Sequence, residues 1–363
     1  MKTLLVIIFC FSFLYANEFI INGIKIQKGT KKTINIELPK LYNTPTKLPI
    51  RVIRGKEDGP TIFISAAIHG DELNGIEIIR RFRNLKILNK LRGNIILVPI
   101  VNIYGVMNLS RYLPDRRDLN RYFPGTSEGS LTSRIAKIFF DEIVLKCDLG
   151  IDLHTASIHK SNLPQIRTNI DDENTFRLAK AFEAPVVLHS ELRDGSLRSV
   201  AQEKGVPILL YEAGEALRFD EQSIKIGVKG IVNVLRANEM LPKSSKTGKR
   251  KIIPLVARNS SWLRATQSGI LRTLKDLGDT VKEGETIAYI NEPLDDQNIY
   301  KLTAPYDGVI IGKTKIPLIQ EGDAVFHIAN TNQLKVANKK ILYFCEDAIE
   351  DCEYININQE DIK

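Results

Sequence analysis

TIFISAAIHGDELNG, Thr61 to Gly75, decides how the whole chain is read. It opens as an apolar, β-branched run interrupted only by Ser65, the pattern of a strand buried on both faces. The run stops at His69-Gly70-Asp71-Glu72. Beyond it Ile76, Ile79, Phe82 and Leu85 recur at helical spacing. A histidine and two acids therefore stand where a buried strand gives way to a helix.

The same alternation continues on both sides. GNIILVPIVN (Gly93 to Asn102), LGIDLH (Leu149 to His154), PVVLH (Pro185 to His189) and PILLYEAG (Pro207 to Gly214) are predicted strands. TSRIAKIFFDEIVLKC (Thr132 to Cys147), ENTFRLAKAF (Glu173 to Phe182) and SLRSVAQEKG (Ser196 to Gly205) are predicted helices. Short alternating segments, FIINGIKI, KTINIEL and LPIRVIRG, precede the quoted stretch and read as strands separated by turns. Helices interleaved with buried strands predict an α/β/α sandwich on a mixed sheet, with function gathered at the carboxyl ends of strands.

Past about residue 250 the helical pattern fades. SGILRTLKDLGDTVKEGETIAYI and YDGVIIGKTKIPLIQEGDAVFHI echo each other, each running from Gly and an apolar pair to Glu-Gly-acid and a second apolar run. Paired half-motifs of this kind resemble the barrel-sandwich hybrid of biotinyl and lipoyl carriers. A carrier presents a lysine on the hairpin between the halves, whereas NEPLDDQNIYKLTAP puts acids and Gln there, and Lys301 sits too near the next strand. A structural or substrate-gating role is expected in place of a swinging arm. The predicted organisation is a signal peptide over 1–16, a catalytic domain over 17–250, a C-terminal all-β domain over 251–330 and a tail over 331–363.

MKTLLVIIFCFSFLYA has one lysine, a short apolar core and a small final residue, as a secretory signal does. Cleavage is expected after Ala16, giving a periplasmic or secreted protein with no membrane span left after cleavage. An uncleaved anchor is the alternative, although the apolar run is short for one. Export would place Cys345 and Cys352 in an oxidising compartment where they can pair, and leave Cys147 as a buried, inert thiol. The 363 residues are 43% hydrophobic and 26% charged with a net charge of +8, an ordinary globular composition. Part of the positive excess lies in PKSSKTGKRK, a solvated linker. No basic patch interleaved with aromatics and no recognised binding motif occurs, so nucleic acid is not an expected partner.

Imidazole and carboxylate are good zinc ligands, and a catalytic zinc takes three protein ligands plus water. His69 and Glu72, three residues apart, are expected on one side of a first helical turn. A loop histidine beside a helix-capping acid is the plainer account of H-x-x-E alone. GIDLHTAS supplies the third candidate, His154, at the end of another apolar run, with Asp152 two residues back to orient it. His159, His189 and His327 lack such company and read as ordinary, His189 the least so. Glu212, in LLYEAGE, is the candidate general base, with Glu215 its competitor. SRYLPDRRDLNRYFPG crowds arginines around Asp118-Leu119-Asn120, which suits recognition of a carboxylate. GTSEG (Gly125 to Gly129) matches the G-x-S-x-G nucleophile pattern but lacks the preceding strand, so Ser127 is expected to cap the next helix.

HGDE, DLNRYFPG, IDLHT and EAGE, in this order, resemble the succinylglutamate desuccinylase/aspartoacylase family of the zinc-carboxypeptidase-like superfamily. The similarity extends over about residues 50 to 330, because family members often carry a C-terminal β-domain. Carried over motif by motif, the resemblance implies a zinc-carboxypeptidase-like fold and one Zn²⁺ per chain on His69, Glu72 and His154. It implies Glu212 as general base and acid, and Asn120 and Arg121 on the substrate carboxylate. Arg111 would polarise the scissile carbonyl or bind that same carboxylate, and Arg167, in LPQIRTN, would also touch substrate. The expected activity is that of a zinc-dependent amidohydrolase acting on a small N-acyl amino acid or peptide with a free carboxylate. Export departs from the namesake enzymes, which work on cytosolic metabolites, and favours a second possibility, a carboxypeptidase trimming peptidoglycan stem peptides. A non-catalytic zinc-binding interaction protein is the third, opposed by the intact residue set.

Overall fold

A computed structural model describes residues 18–244 and 253–341, without the side chains of residues 295–297. The expected signal peptide, the Cys345–Cys352 pair and most of the tail lie outside the described residues. The chain begins with two small strands, β1 (Phe19–Ile21) and β2 (Ile24–Ile26), and continues into β3 (Lys31–Leu41), β4 (Thr44–Arg54) and β5 (Glu57–Ala66). It then alternates: α1 (Asn74–Phe82), β6 (Arg92–Val98), α2 (Ile103–Met107), α3 (Leu131–Glu142), β7 (Leu149–His154), β8 (Lys160–Thr168), α4 (Glu173–Phe182), β9 (Val186–His189), α5 (Leu197–Glu203), β10 (Ile208–Glu215) and α6 (Glu221–Ala237).

The central sheet runs β3-β4-β6-β5-β7-β10-β8, with β9 on the outer edge of β8. β5 is parallel to β6 and β7, and β7 to β10, whereas β8 is antiparallel to β10 and β4 to β6, so the sheet is mixed as expected. The apolar run of β5 explains its central place. Ile62 and Ile64 pack into one core with Ile78 and Phe82 of α1, Phe182 of α4 and Ile231 of α6. Phe63, between them, points into the opposite core with Phe139 of α3 and Leu197 of α5. Alternate residues of one strand thus hold both helical layers, which is the sandwich.

The second region follows with β11 (Leu255–Ala257), β12 (Ser260–Arg264), β13 (Gly269–Thr273), β14 (Thr280–Val281), β15 (Thr286–Glu292), β16 (Asp295–Thr303), β17 (Gly308–Thr314), β18 (Leu318–Ile319) and β19 (Ala324–Asn330). β13, β15, β16 and β18 form a sheet of their own, facing a layer built on β12, β17 and β19. The two echoing segments are the two halves of this sandwich. Lys301 lies inside β16 opposite Tyr289 and not on the hairpin tip. The layer is stitched to the central sheet: Gly312 to Thr314 of β17 pair with Asn162 to Lys160 of β8, and β11 pairs with β9. Leu163, Val186 and Leu188 share one core with Leu255, Val309 and Ile311.

Candidate metal centre and its surroundings

Three residues from two strand ends meet. After β5 the backbone turns at Ala67, whose φ is 52°. The peptide N–H of Glu72 then donates to His69 O at 3.2 Å, which closes a turn. The helix starts only at Asn74, so His69 and Glu72 share this turn and not a first helical turn as expected from their spacing. The turn is wedged against the neighbouring loop. Gly70 N donates to Ser110 O at 3.0 Å, and a side chain at Gly70 would collide with the carbonyl of Gly105. His154, the last residue of β7, faces it across the sheet end.

His69 Nδ1 lies 2.6 Å from Glu72 Oε1, and His154 Nδ1 lies 2.7 Å from Glu72 Oε2. The candidate ligand atoms of His69, Glu72 and His154 fall within 4.8 Å of one another, and all three residues are buried. The outer ring nitrogens are held as well. His154 Nε2 sits 2.7 Å from Asp152 Oδ2, and Ser65 Oγ donates to Asp152 Oδ1 at 2.7 Å. His69 Nε2 sits 3.1 Å from Asp118 Oδ1. A neutral imidazole carries one N–H, yet each ring here faces a carboxylate at both nitrogens. The inner lone pairs are compatible with Glu72 only if a proton or a cation lies between them. A divalent cation on Nδ1, Nδ1 and the carboxylate satisfies both rings at once, so the residues present fit a metal.

Electrostatics agree. Burial pulls both imidazoles down, but Glu72 with Asp118 raises His69, and Asp152 with Glu72 raises His154 well above its usual range. Burial pushes Glu72 up, and the two histidines outweigh it and hold its carboxyl well below the carboxylate range. Thr155 N–H donates to Glu72 Oε2 at 3.1 Å.

Arg111 borders this cluster. Its Nε and Nη2 donate to Asp118 Oδ2 at 3.2 and 2.9 Å, and Nη1 reaches Glu72 Oε1 at 3.5 Å. Asp118 therefore ties the arginine loop to a candidate ligand, a part its sequence setting did not single out. Glu212 lies directly across from His154 in the β10–β7 register. Strand partners share a face, so its carboxylate opens on the same side as the imidazole. Asn162 Nδ2 donates to Glu212 Oε2 at 2.7 Å, and Arg167 Nη1 is 3.7 Å from Glu212 Oε1. Asn162 gave no signal in the sequence, because β8 passed unrecognised there.

The side chains of Asn120 and Arg121 make no hydrogen bond to His69, Glu72 or His154. Asn120 Oδ1 accepts the peptide N–H of Leu197 at 2.8 Å, pinning the first turn of α5, and Arg121, exposed, donates Nη1 to Asn120 O. Asp71 does not cap α1: its Oδ1 is buried without a partner, and Leu73 stands at the cap position. Ser130, not Ser127, caps α3, because Ser130 Oγ accepts from Ser133 N while Ser127 is exposed. His327, expected to be ordinary, is buried and stacks on Trp262 with ring centroids 4.8 Å apart. Burial, and then Arg167, pulls it down to about 3, so it stays neutral. His189 lies at the end of β9, 3.4 Å from the N–H of Ile170. Cys147 is buried and donates to Ile143 O, as an inert thiol does.

The sequence model of the succinylglutamate desuccinylase/aspartoacylase catalytic domain matches residues 58–238. An N-α-acetyl-L-2,4-diaminobutyric acid deacetylase of Halomonas elongata is 27% identical over 301 residues, covering 78% of this chain and 85% of the relative. A product-bound structure of an ectoine utilization protein from Ruegeria pomeroyi superposes with a TM-score of 0.74 at 25% identity, covering 83% of this chain and 95% of that one. A succinylglutamate desuccinylase/aspartoacylase from Rhodobacter sphaeroides gives 0.73 at 25% identity with the same coverage.

Proposed function

With residues 58–238 belonging to the succinylglutamate desuccinylase/aspartoacylase catalytic-domain family, we propose that the chain is an exported, zinc-dependent amidohydrolase that deacylates a small N-acyl amino acid bearing a free carboxylate. The observation that carries it is the convergence of His69, Glu72 and His154 with Glu212 beside them in strand register. Amide hydrolysis is the activity the family and the diaminobutyrate deacetylase have in common, and the small acylated amino acid is the substrate type named for that relative. Export rests on the leader-like residues 1–16.

Zinc, when bound, acidifies a coordinated water and polarises the scissile carbonyl. Glu212 takes the proton of the attacking water and passes it to the departing amine nitrogen. Asn162 and Arg167 hold the Glu212 carboxylate aimed for that exchange. Asp152 and Asp118 fix the two imidazoles with their Nδ1 atoms inward. Arg111, anchored on Asp118, stabilises negative charge growing on the carbonyl oxygen. Arginines of the site, Arg121 and Arg167 among them, supply the charge that draws the substrate carboxylate.

The test is a released-amine assay of the zinc-loaded protein against N-acyl amino acids and, in parallel, muropeptides. Glu212→Gln is expected to keep its zinc and lose about 10²- to 10⁴-fold in kcat. Normal turnover by that variant would remove Glu212 from the role of base, and amine released from muropeptides alone would transfer the activity to cell-wall peptides.

A further inference from the structure

The second β region reaches towards Glu212 through one row of residues. Trp262 stands opposite His327 in the β12–β19 register, His327 opposite Gly312 in β19–β17, and Gly312 opposite Asn162 in β17–β8. Partners in register share a face, so the four lie side by side on one surface of the sheet. The register slips on β17 between Ile310 and Gly312, and again on β10 between Glu212 and Gly214. Irregularities of this kind re-aim side chains. Asn162, itself opposite Gly214, bonds back to Glu212, its Nδ2 donating to Oε2 at 2.7 Å.

Gly312 leaves the room for this. A Cβ there would lie 2.9 Å from Asn162 Oδ1, 3.1 Å from His327 Cβ and 3.3 Å from Trp262 Cη2. The amide oxygen of Asn162 therefore rests over Gly312 with the rim of the indole beside it. That oxygen is buried and has no hydrogen-bond partner among the described residues. An Asn amide carries donors on one side and an acceptor on the other. Turned over, it would set its oxygen against the Glu212 carboxylate and its NH₂ against the indole. The rim of an aromatic ring is the positive part of its quadrupole, so it favours the oxygen. The indole is held in turn: it stacks on the buried His327 with 13° between the rings, and His327 Nε2 lies 2.9 Å from Ser260 Oγ.

We propose that Trp262 and His327 are positioning residues for the general base, holding the Asn162 amide across the notch at Gly312 with its nitrogen toward Glu212. Both act through Asn162 and not on the substrate. The second β region thereby takes part in the reaction by fixing the direction of one hydrogen bond. The proposal rests on Glu212 as the base.

Trp262 is the chain's single tryptophan, so its emission reports on the contact without any turnover. Asn162→Ala and Gly312→Ala, with their folds checked by circular dichroism, are each expected to shift that emission in the zinc-loaded protein. Unchanged emission in Asn162→Ala overturns the contact. In the released-amine assay Trp262→Leu is expected to lose about 10- to 100-fold in kcat, with KM within about 2-fold and zinc content unchanged. Trp262→Phe, which keeps an aromatic rim, recovers most of that loss. In the Asn162→Ala background Trp262→Leu costs less than about a further 2-fold, because residues acting through one contact are not additive. Losses that multiply, or a raised KM at full kcat, overturn the positioning role. Normal kinetics of Trp262→Leu beside an inactive Glu212→Gln also overturn it and leave the base in place. An emission shift in protein that releases no amine from any N-acyl amino acid keeps the bracing of Asn162 and defeats the hydrolase assignment.

Discussion

Asp118 shows what individual side chains add to a ligand set. It accepts from His69 Nε2, from Asn120 N and from Arg111, so one carboxylate orients an imidazole and anchors a cation beside it. Asp118→Asn keeps the shape and removes the charge. The variant is expected to bind zinc about 10- to 100-fold more weakly, read by competition with a chromophoric chelator. Unchanged affinity would reduce Asp118 to a loop brace. His69, Glu72, His154 and Glu212 were legible because each closes an apolar run, where a strand delivers a side chain to the sheet end. Asp118 and Asn162 were not, because their partners are 49 and 50 residues away along the chain and no local pattern announces such pairings.

The elements place these side chains through close approaches. Gly75 lets α1 lie on the ends of β5 and β7; a Cβ there would come within 2.6 Å of the Ala66 Cβ and 2.8 Å of the Leu153 Cβ. Asn74 ties the start of α1 to β10 by donating to Ala213 O, and to the start of α6 by accepting from Asp220 N. The turn carrying His69 and Glu72 is thereby locked to the strand carrying Glu212. Gly70→Ala drives a methyl group into the Gly105 backbone. It is expected to cost about 1–3 kcal/mol in a denaturant melt and to weaken zinc binding in step. A stable variant with full zinc affinity would show that the loop yields freely. Buried strands and amphipathic helices were readable from their periods, but two elements were not. α6 carries Ile, Val and two glycines, Gly227 and Gly230, a composition that hides its helical period until Phe182 and Ile78 are seen packed against those glycines. β8 contains Pro164 and joins neighbours on both edges, which single-strand patterning does not reveal.

The whole molecule is a catalytic sandwich whose sheet continues into the second β region. The repeated half-motifs announced that region's architecture. Its pairing to β8 depends on contacts more than 140 residues apart, such as Gln165 with Ile311, and was not legible. Because of that pairing, Trp262 and His327 gather with Asn162 around Gly312, one step from Glu212. No helix among the described residues is long and apolar enough to cross a membrane. The metal is the hinge of the account: the inward Nδ1 atoms and Glu72 call for a proton or a cation between them, and a divalent cation satisfies both rings at once. The decisive measurement is metal content and amine release on one preparation, before chelation, after it, and after zinc is restored. One zinc per chain, activity lost with it and regained in proportion to zinc returned, is the predicted result. Full hydrolysis of an N-acyl amino acid by metal-free protein, or zinc content unchanged in His69→Ala with His154→Ala, would contradict it.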